Sequence, residues 1–128
     1  MCRLRNNNSG FTLMEVLAAM LILSIGLLGM AALITGIINS NKLSNRISTA
    51  TVLAQDKMED VKRLGYSGMP ASDTTTTEAY NSITNYSLYK RVTFTEVANP
   101  AAGMKKITVT VYWDADDHSV VLQTILTK

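Results

Sequence analysis

The stretch Ser9-Gly10-Phe11-Thr12-Leu13-Met14-Glu15-Val16-Leu17 opens a long apolar run, and its reading decides how the rest of the 128-residue chain is understood. From Phe11 to Ile38 there are 28 residues with one charge, Glu15, and no Lys, Arg or Pro. At about 1.5 Å per residue a helix over this run is ~42 Å long, more than the ~30 Å of bilayer hydrocarbon that some 20 apolar residues cross. The run reads as a single membrane span whose far end projects from the bilayer. Arg3 and Arg5, followed by the spacer Asn6 to Asn8, put the positive flank at the N-terminus. By the positive-inside rule residues 1–10 stay in the cytoplasm and the rest is exported.

Glu15 is the anomaly. An acidic side chain deep in a membrane helix costs about 2.5–3.5 kcal/mol on insertion scales, and such groups seek a partner. One reading is an interfacial carboxylate reaching headgroup water. The other needs a cation at the same depth, and the helix supplies none. Cutting between Gly10 and Phe11 would create one, the α-amino group of Phe11. That amine cannot reach well back onto its own Glu15, but it can meet the Glu15 of a neighbouring helix shifted axially by about a turn. On this reading Glu15 is an assembly device.

Gly10-Phe11-Thr12-Leu13-Met14-Glu15, set before some twenty apolar residues, resembles the class III signal of type IV prepilins and pseudopilins. The resemblance implies cleavage by a prepilin peptidase between Gly10 and Phe11, N-methylation of Phe11, and pairing of Glu15 with another subunit's terminus. An ordinary secretory signal fits poorly, because its apolar core is ~7–15 residues long and its cleavage site follows that core. The partners implied are other pilin subunits, the prepilin peptidase, the inner-membrane assembly platform, and membrane lipid before assembly.

The formal charge of +2 comes from 12 basic and 10 acidic residues; with Arg3 and Arg5 removed, 10 of each remain. A neutral mature chain argues against a nucleic-acid-binding stripe. Cys2 is the single cysteine, so the processed chain has neither thiol nor disulfide and departs from the many pilins that staple their C-terminal region. His118 is the single histidine and has no companion for a zinc set. Asp114, Asp116 and Asp117 are of the residue type that ligates Ca²⁺, but the loop lacks the Gly and distal Glu of an EF-hand and reads as a polar hairpin tip. No cofactor, metal or catalytic role is expected.

Along the span, Gly29, Ala32 and Gly36 recur at i, i+3 and i+7 and share one helix face, where small residues let membrane helices approach closely. Gly26 and Gly29 are points where the helix can stretch. Past Ile38 the stripe Leu43, Ile47, Ala50, Ala54, Met58, Val61 and Leu64 keeps a 3.6-residue period, with Asn45, Arg46, Thr49, Asp56, Lys57, Glu59 and Asp60 mostly off it. One helix from Phe11 to about Leu64, ending at Gly65, is predicted to be ~80 Å long. The Gly-, Pro- and Thr-containing segment 65–87 reads as a connecting loop, with the run Thr74 to Thr77 as its polar tip. Three alternating stretches follow: Leu88 to Val97, with Leu88, Val92 and Phe94 on one face; Lys105 to Trp113, with Ile107, Val109, Val111 and Trp113 on one face; and Ser119 to Thr127, with Val120, Leu122 and Leu126 on the expected core side.

The expected fold is α+β, type IV pilin-like: a long N-terminal helix packed on a three-stranded antiparallel β-meander. Its parts are leader 1–10, membrane or filament-core half 11–38, amphipathic half 39–64, loop 65–87 and sheet 88–128. Ile25-Gly26-Leu27-Leu28-Gly29-Met30, Ala54-Gln55-Asp56-Lys57-Met58-Glu59 and the C-terminal strands resemble minor pilins of the PilV type. The absence of Pro from the span points the same way. The function this implies is a minor type IV pilus subunit, held in the inner membrane with its head in the periplasm and extracellular once assembled. The alternatives are a minor pseudopilin of a type II secretion system and a pilus-tip binding or adhesion module.

Overall fold

The computed structural model describes residues 10–128; residues 1–9, which include Cys2, Arg3 and Arg5, lie outside it. Leu, Ala, Met and Ile dominate after Phe11 and no Pro interrupts them, a composition that favours helix. Helix α1 accordingly covers Leu13–Gly68. The backbone leaves helical geometry at Gly65 (φ 64°, ψ −175°), a conformation essentially confined to glycine, and Tyr66 to Gly68 form a short last turn. The chain divides into two units, Met1–Asn41 and Lys42–Lys128.

In the first unit every described side chain is exposed, including Leu21, Ile22, Leu28 and Leu33. Two hydroxyls there bond to their own helix: Ser24 Oγ donates to Met20 O (2.7 Å) and Thr35 Oγ1 to Ala32 O (2.9 Å). Self-satisfied polar groups beneath an apolar surface are what a hydrocarbon environment requires.

The second unit combines the C-terminal part of α1 with a four-stranded antiparallel sheet: β1 Thr74–Glu78, β2 Tyr89–Val97, β3 Met104–Trp113 and β4 His118–Thr127, in spatial order β1-β2-β3-β4. The fold is α+β, with four strands rather than three. The extra strand falls inside the segment expected to be loop. Thr74 to Glu78 pair in register with Thr95 to Arg91. Four β-branched residues in a row suit a pleated strand, but because all are polar they show no alternation to reveal it.

The core joins Ala50, Leu53, Ala54, Met58 and Val61 of α1 to Tyr89, Ile107, Val109, Val111 and Trp113 of the sheet. Ile107, Val109 and Val111 are fully buried, each contributing about 1.5–3 kcal/mol of apolar transfer. From the helix stripe, Leu43, Ile47 and Leu64 stay exposed, whereas Leu53, off that stripe, is buried. In β2 the buried face is Tyr89, Arg91, Thr93 and Thr95, leaving Val92 half-buried and Phe94 exposed on the outer face.

Two buried cations lock these layers. Arg91 donates to both carboxylate oxygens of Glu78 on β1 (2.6 and 2.8 Å) and to Leu53 O of α1 (2.9 Å). Lys105 Nζ donates to Tyr66 O (2.8 Å) and Met69 O (2.9 Å) and lies 4.2 Å from the centroid of the Tyr66 ring. The last turn of α1 has no basic residue of its own. Lys105 from β3 therefore satisfies open carbonyls and complements the negative end of the helix dipole.

Candidate functional site: the N-terminal processing and assembly segment

Gly10 and Phe11 precede the helix, and Phe11 is 83% exposed. Thr12 caps α1. The Glu15 amide donates to Thr12 O (3.1 Å) and to Thr12 Oγ1 (3.3 Å), and the Val16 amide to Thr12 O (3.2 Å). Thr12-Leu13-Met14-Glu15 has the spacing of a capping box, with an acid in the first turn where the helix dipole favours it. This local role for Glu15 is open to sequence reading, since Thr-x-x-Glu before an apolar run is a start signal. It is additional to any role in pairing.

Phe11, Glu15, Val16, Ala19, Met20 and Leu23 line a shallow concavity of about 330 Å³ along one side of the helix. Ala19 leaves the depression that its larger neighbours flank. The Glu15 carboxylate thus belongs to a largely apolar groove that opens outward. A terminal amine made at Phe11 would sit at the positive end of the helix dipole, an unfavourable place worth about 0.3–1 kcal/mol. A carboxylate from another chain would relieve it. The capping geometry at Thr12 involves no atom of Gly10, so a cut between Gly10 and Phe11 leaves the helix start intact.

Gly29, Ala32 and Gly36 all lie on the exposed helix, and a methyl group built at Gly29 or Gly36 meets nothing within 4 Å. No packing inside the described chain explains the small residues at these positions.

At the acidic hairpin tip between β3 and β4 two of the three carboxylates, those of Asp114 and Asp116, are engaged by partners, whereas that of Asp117 makes no ion pair among the described residues. Asp114 pairs with Arg46, and Asp116 pairs with Lys90 and accepts a hydrogen bond from Tyr80 Oη (2.9 Å). The bonds from Lys90 and then Tyr80 hold the Asp116 carboxyl below its ordinary pKa, and Asp116 correspondingly raises that of Lys90. Arg91 does the same to Glu78: hydrogen bonding lowers its pKa, against partial burial. Among the described residues no group of three or more His, Cys, Asp or Glu is disposed to hold a metal ion.

Residues 5–31 match the family model described as the prokaryotic N-terminal methylation motif. The matched segment contains Gly10, Phe11, Thr12 and Glu15 and runs well into α1. The match supports a type IV pilin-like class III signal at the head of the apolar helix, which is long and apolar enough to cross a membrane. No curated protein and no solved structure matches the chain.

Proposed function

We propose that this chain is a minor type IV pilus subunit of the PilV kind, made as a precursor and cut between Gly10 and Phe11. The observation that carries this reading is the methylation motif at residues 5–31, leading directly into an apolar helix whose side chains are exposed as far as Asn41. Prepilin peptidase removes residues 1–10 and Phe11 is methylated. The span then holds the subunit in the inner membrane, its N-terminus cytoplasmic and the unit 42–128 in the periplasm, until the assembly platform draws it into a filament.

In the filament, contacts with other subunits' helices replace lipid, and Gly29, Ala32 and Gly36 supply a face for close approach. Glu15 selects the axial register by meeting the Phe11 amine of a neighbour. Both charges would be costly alone in an apolar rod and are compensated together. The role is structural, helping to start assembly or to modify the tip.

Glu15→Ala tests the reading. The variant should insert and be processed like the wild type yet be missing from sheared filaments. Glu15→Ala recovered in filaments at wild-type levels would remove the assembly role.

A further inference from the structure

The two edges of the head sheet are built differently. β1 is five residues long, and its two ends are tied to β2: the carboxylate of Asp73, just before it, accepts the Val97 amide (2.7 Å), and Glu78 is held by Arg91. β4, at the other edge, runs ten residues from His118 to Thr127 and pairs with β3 at every position without a bulge. It contains no Asp, Glu, Lys, Arg, Pro or Gly. Charges, prolines, bulges and shortness are the devices by which proteins protect an open edge, and β4 has none of them.

The register identifies the free groups. In an antiparallel ladder alternate residues exchange both hydrogen bonds with the residue opposite. The Lys128 amide donates to Gly103 O (3.1 Å), one step beyond the Met104–Thr127 pair, so the even-numbered residues of β4 face β3. The Ala98 amide bonds to Met104 O (2.9 Å), which turns the even residues of β3 toward β2 and gives the same parity. The N–H and C=O groups of Ser119, Val121, Gln123, Ile125 and Thr127 therefore point away from the sheet. Among the described residues nothing bonds to them.

Each face of this edge carries apolar side chains among polar ones. Val121 and Ile125 are each 50% exposed on the outer face. On the inner face Val120, Leu122 and Leu126 pack against the core yet stay half-buried. Beside them, between α1 and β4, lies a groove of about 390 Å³ with Met58 and Leu122 in its wall and Gln55, Glu59 and Lys62 around it.

We propose that the free edge of β4 is a strand-addition site, and that its occupant is an extended, uncharged segment of a different polypeptide with an apolar side chain at every second position. A row of free backbone groups at strand spacing is complemented by another extended backbone, which supplies affinity, while alternate side chains find pockets. Apolar side chains on the groove side would cover Met58 and Leu122. Antiparallel self-pairing of β4 would reverse one copy of helix 42–68 relative to the other. The two Lys42 ends would then lie at opposite ends of the pair, and the apolar segments preceding both would have to return to one membrane, which disfavours a second copy as the occupant. The site does not depend on processing at Gly10 or on Glu15.

The test is amide hydrogen exchange on the full chain in detergent micelles, with and without a capped ten-residue peptide of alternating Val and Thr. The expected result is at least tenfold slowing at Val121, Gln123 and Ile125 on peptide addition, with Val120, Leu122 and Thr124 already slow and unchanged. Gln123→Pro removes an outward N–H without touching the β3 ladder, and should abolish the slowing while leaving the Trp113 unfolding transition in place. Ile125→Lys, which keeps the backbone intact, should do the same. Equal exchange with and without peptide would overturn the proposal, as would slowing that survives both substitutions. Odd-residue protection that grows with protein concentration alone would reassign the edge to a second copy.

Discussion

Arg91→Met is the sharpest probe of how the head is held together. The substitution keeps much of the buried stem but removes two bonds to Glu78 (2.6 and 2.8 Å) and one to Leu53 O (2.9 Å). Arg91 is 7% exposed, and its charge is compensated by Glu78, by Leu53 O and by the Asp56 carboxylate 3.6 Å from Nη1. Removing one member of a buried ion pair costs about 3–5 kcal/mol because the other charge is stranded. Glu78 is only partly buried and keeps Lys57 at 3.8 Å, so water and that lysine reduce the loss to about 2–3 kcal/mol. For a unit the size of residues 42–128, each kcal/mol moves the thermal midpoint by roughly 4–8 °C. The expected fall is therefore roughly 10–20 °C. Trp113, buried in the core and the only tryptophan, reports the head alone through its emission shift, independent of the membrane helix. Arg91→Met/Glu78→Leu, which leaves neither member of the buried pair without the other, should recover part of the loss. A single-variant midpoint within experimental error of wild type would refute the clamp.

Acidification should unfold the head through the same groups. Glu78 and Asp116 have folded pKa values below their ordinary 4.5 and 3.8. Their contribution is thus present above those values and lost as the pH falls through the folded ones, so Trp113-monitored stability should decline from about pH 4.5 downward. Arg91→Met should remove the Glu78 part of that decline. Gly65→Ala forces a residue with a Cβ into φ 64°, ψ −175°, with no neighbour in the way, and should cost about 1–3 kcal/mol by backbone strain alone, measured by the same transition. Lys105→Met leaves the Tyr66 and Met69 carbonyls without their donor, and should destabilise the head by about 1–3 kcal/mol, with exchange at the end of α1 accelerating before the rest.

The legible elements of this chain are those whose side chains sort cleanly by polarity. β3 alternates Ile107, Val109, Val111 and Trp113 against Thr108, Thr110 and Tyr112, and its buried face follows. β2 misleads because Arg91, Thr93 and Thr95 go inward, where Glu78 and Leu53 O compensate the guanidinium; Val92 and Phe94 are left on the outer face. Nothing local announces a buried arginine whose partner lies thirteen residues earlier on a strand without alternation. β1 is hidden for that reason, its four threonines looking like a loop tip until β2 is there to pair with them. Lys105 likewise reads as a solvated strand residue, and only the tertiary approach of the α1 terminus gives it a buried task. At the N-terminus the spacing of Gly10, Phe11 and Glu15 is readable directly, because that signal is local. The cap formed by Thr12 is equally local, but is overshadowed by the question of what Glu15 pairs with.

The assembly role proposed for this chain requires Phe11 to become a chain terminus, and the intact mass of the protein purified from membranes with an active prepilin peptidase reads this out. The expected mass is that of a chain beginning at Phe11 and carrying one added methyl group, with Gly10 substitution leaving the full-length precursor. A wild-type mass that still includes residues 1–10, in cells whose peptidase trims its other substrates, would show that no such terminus forms and that Glu15 has no amine to meet.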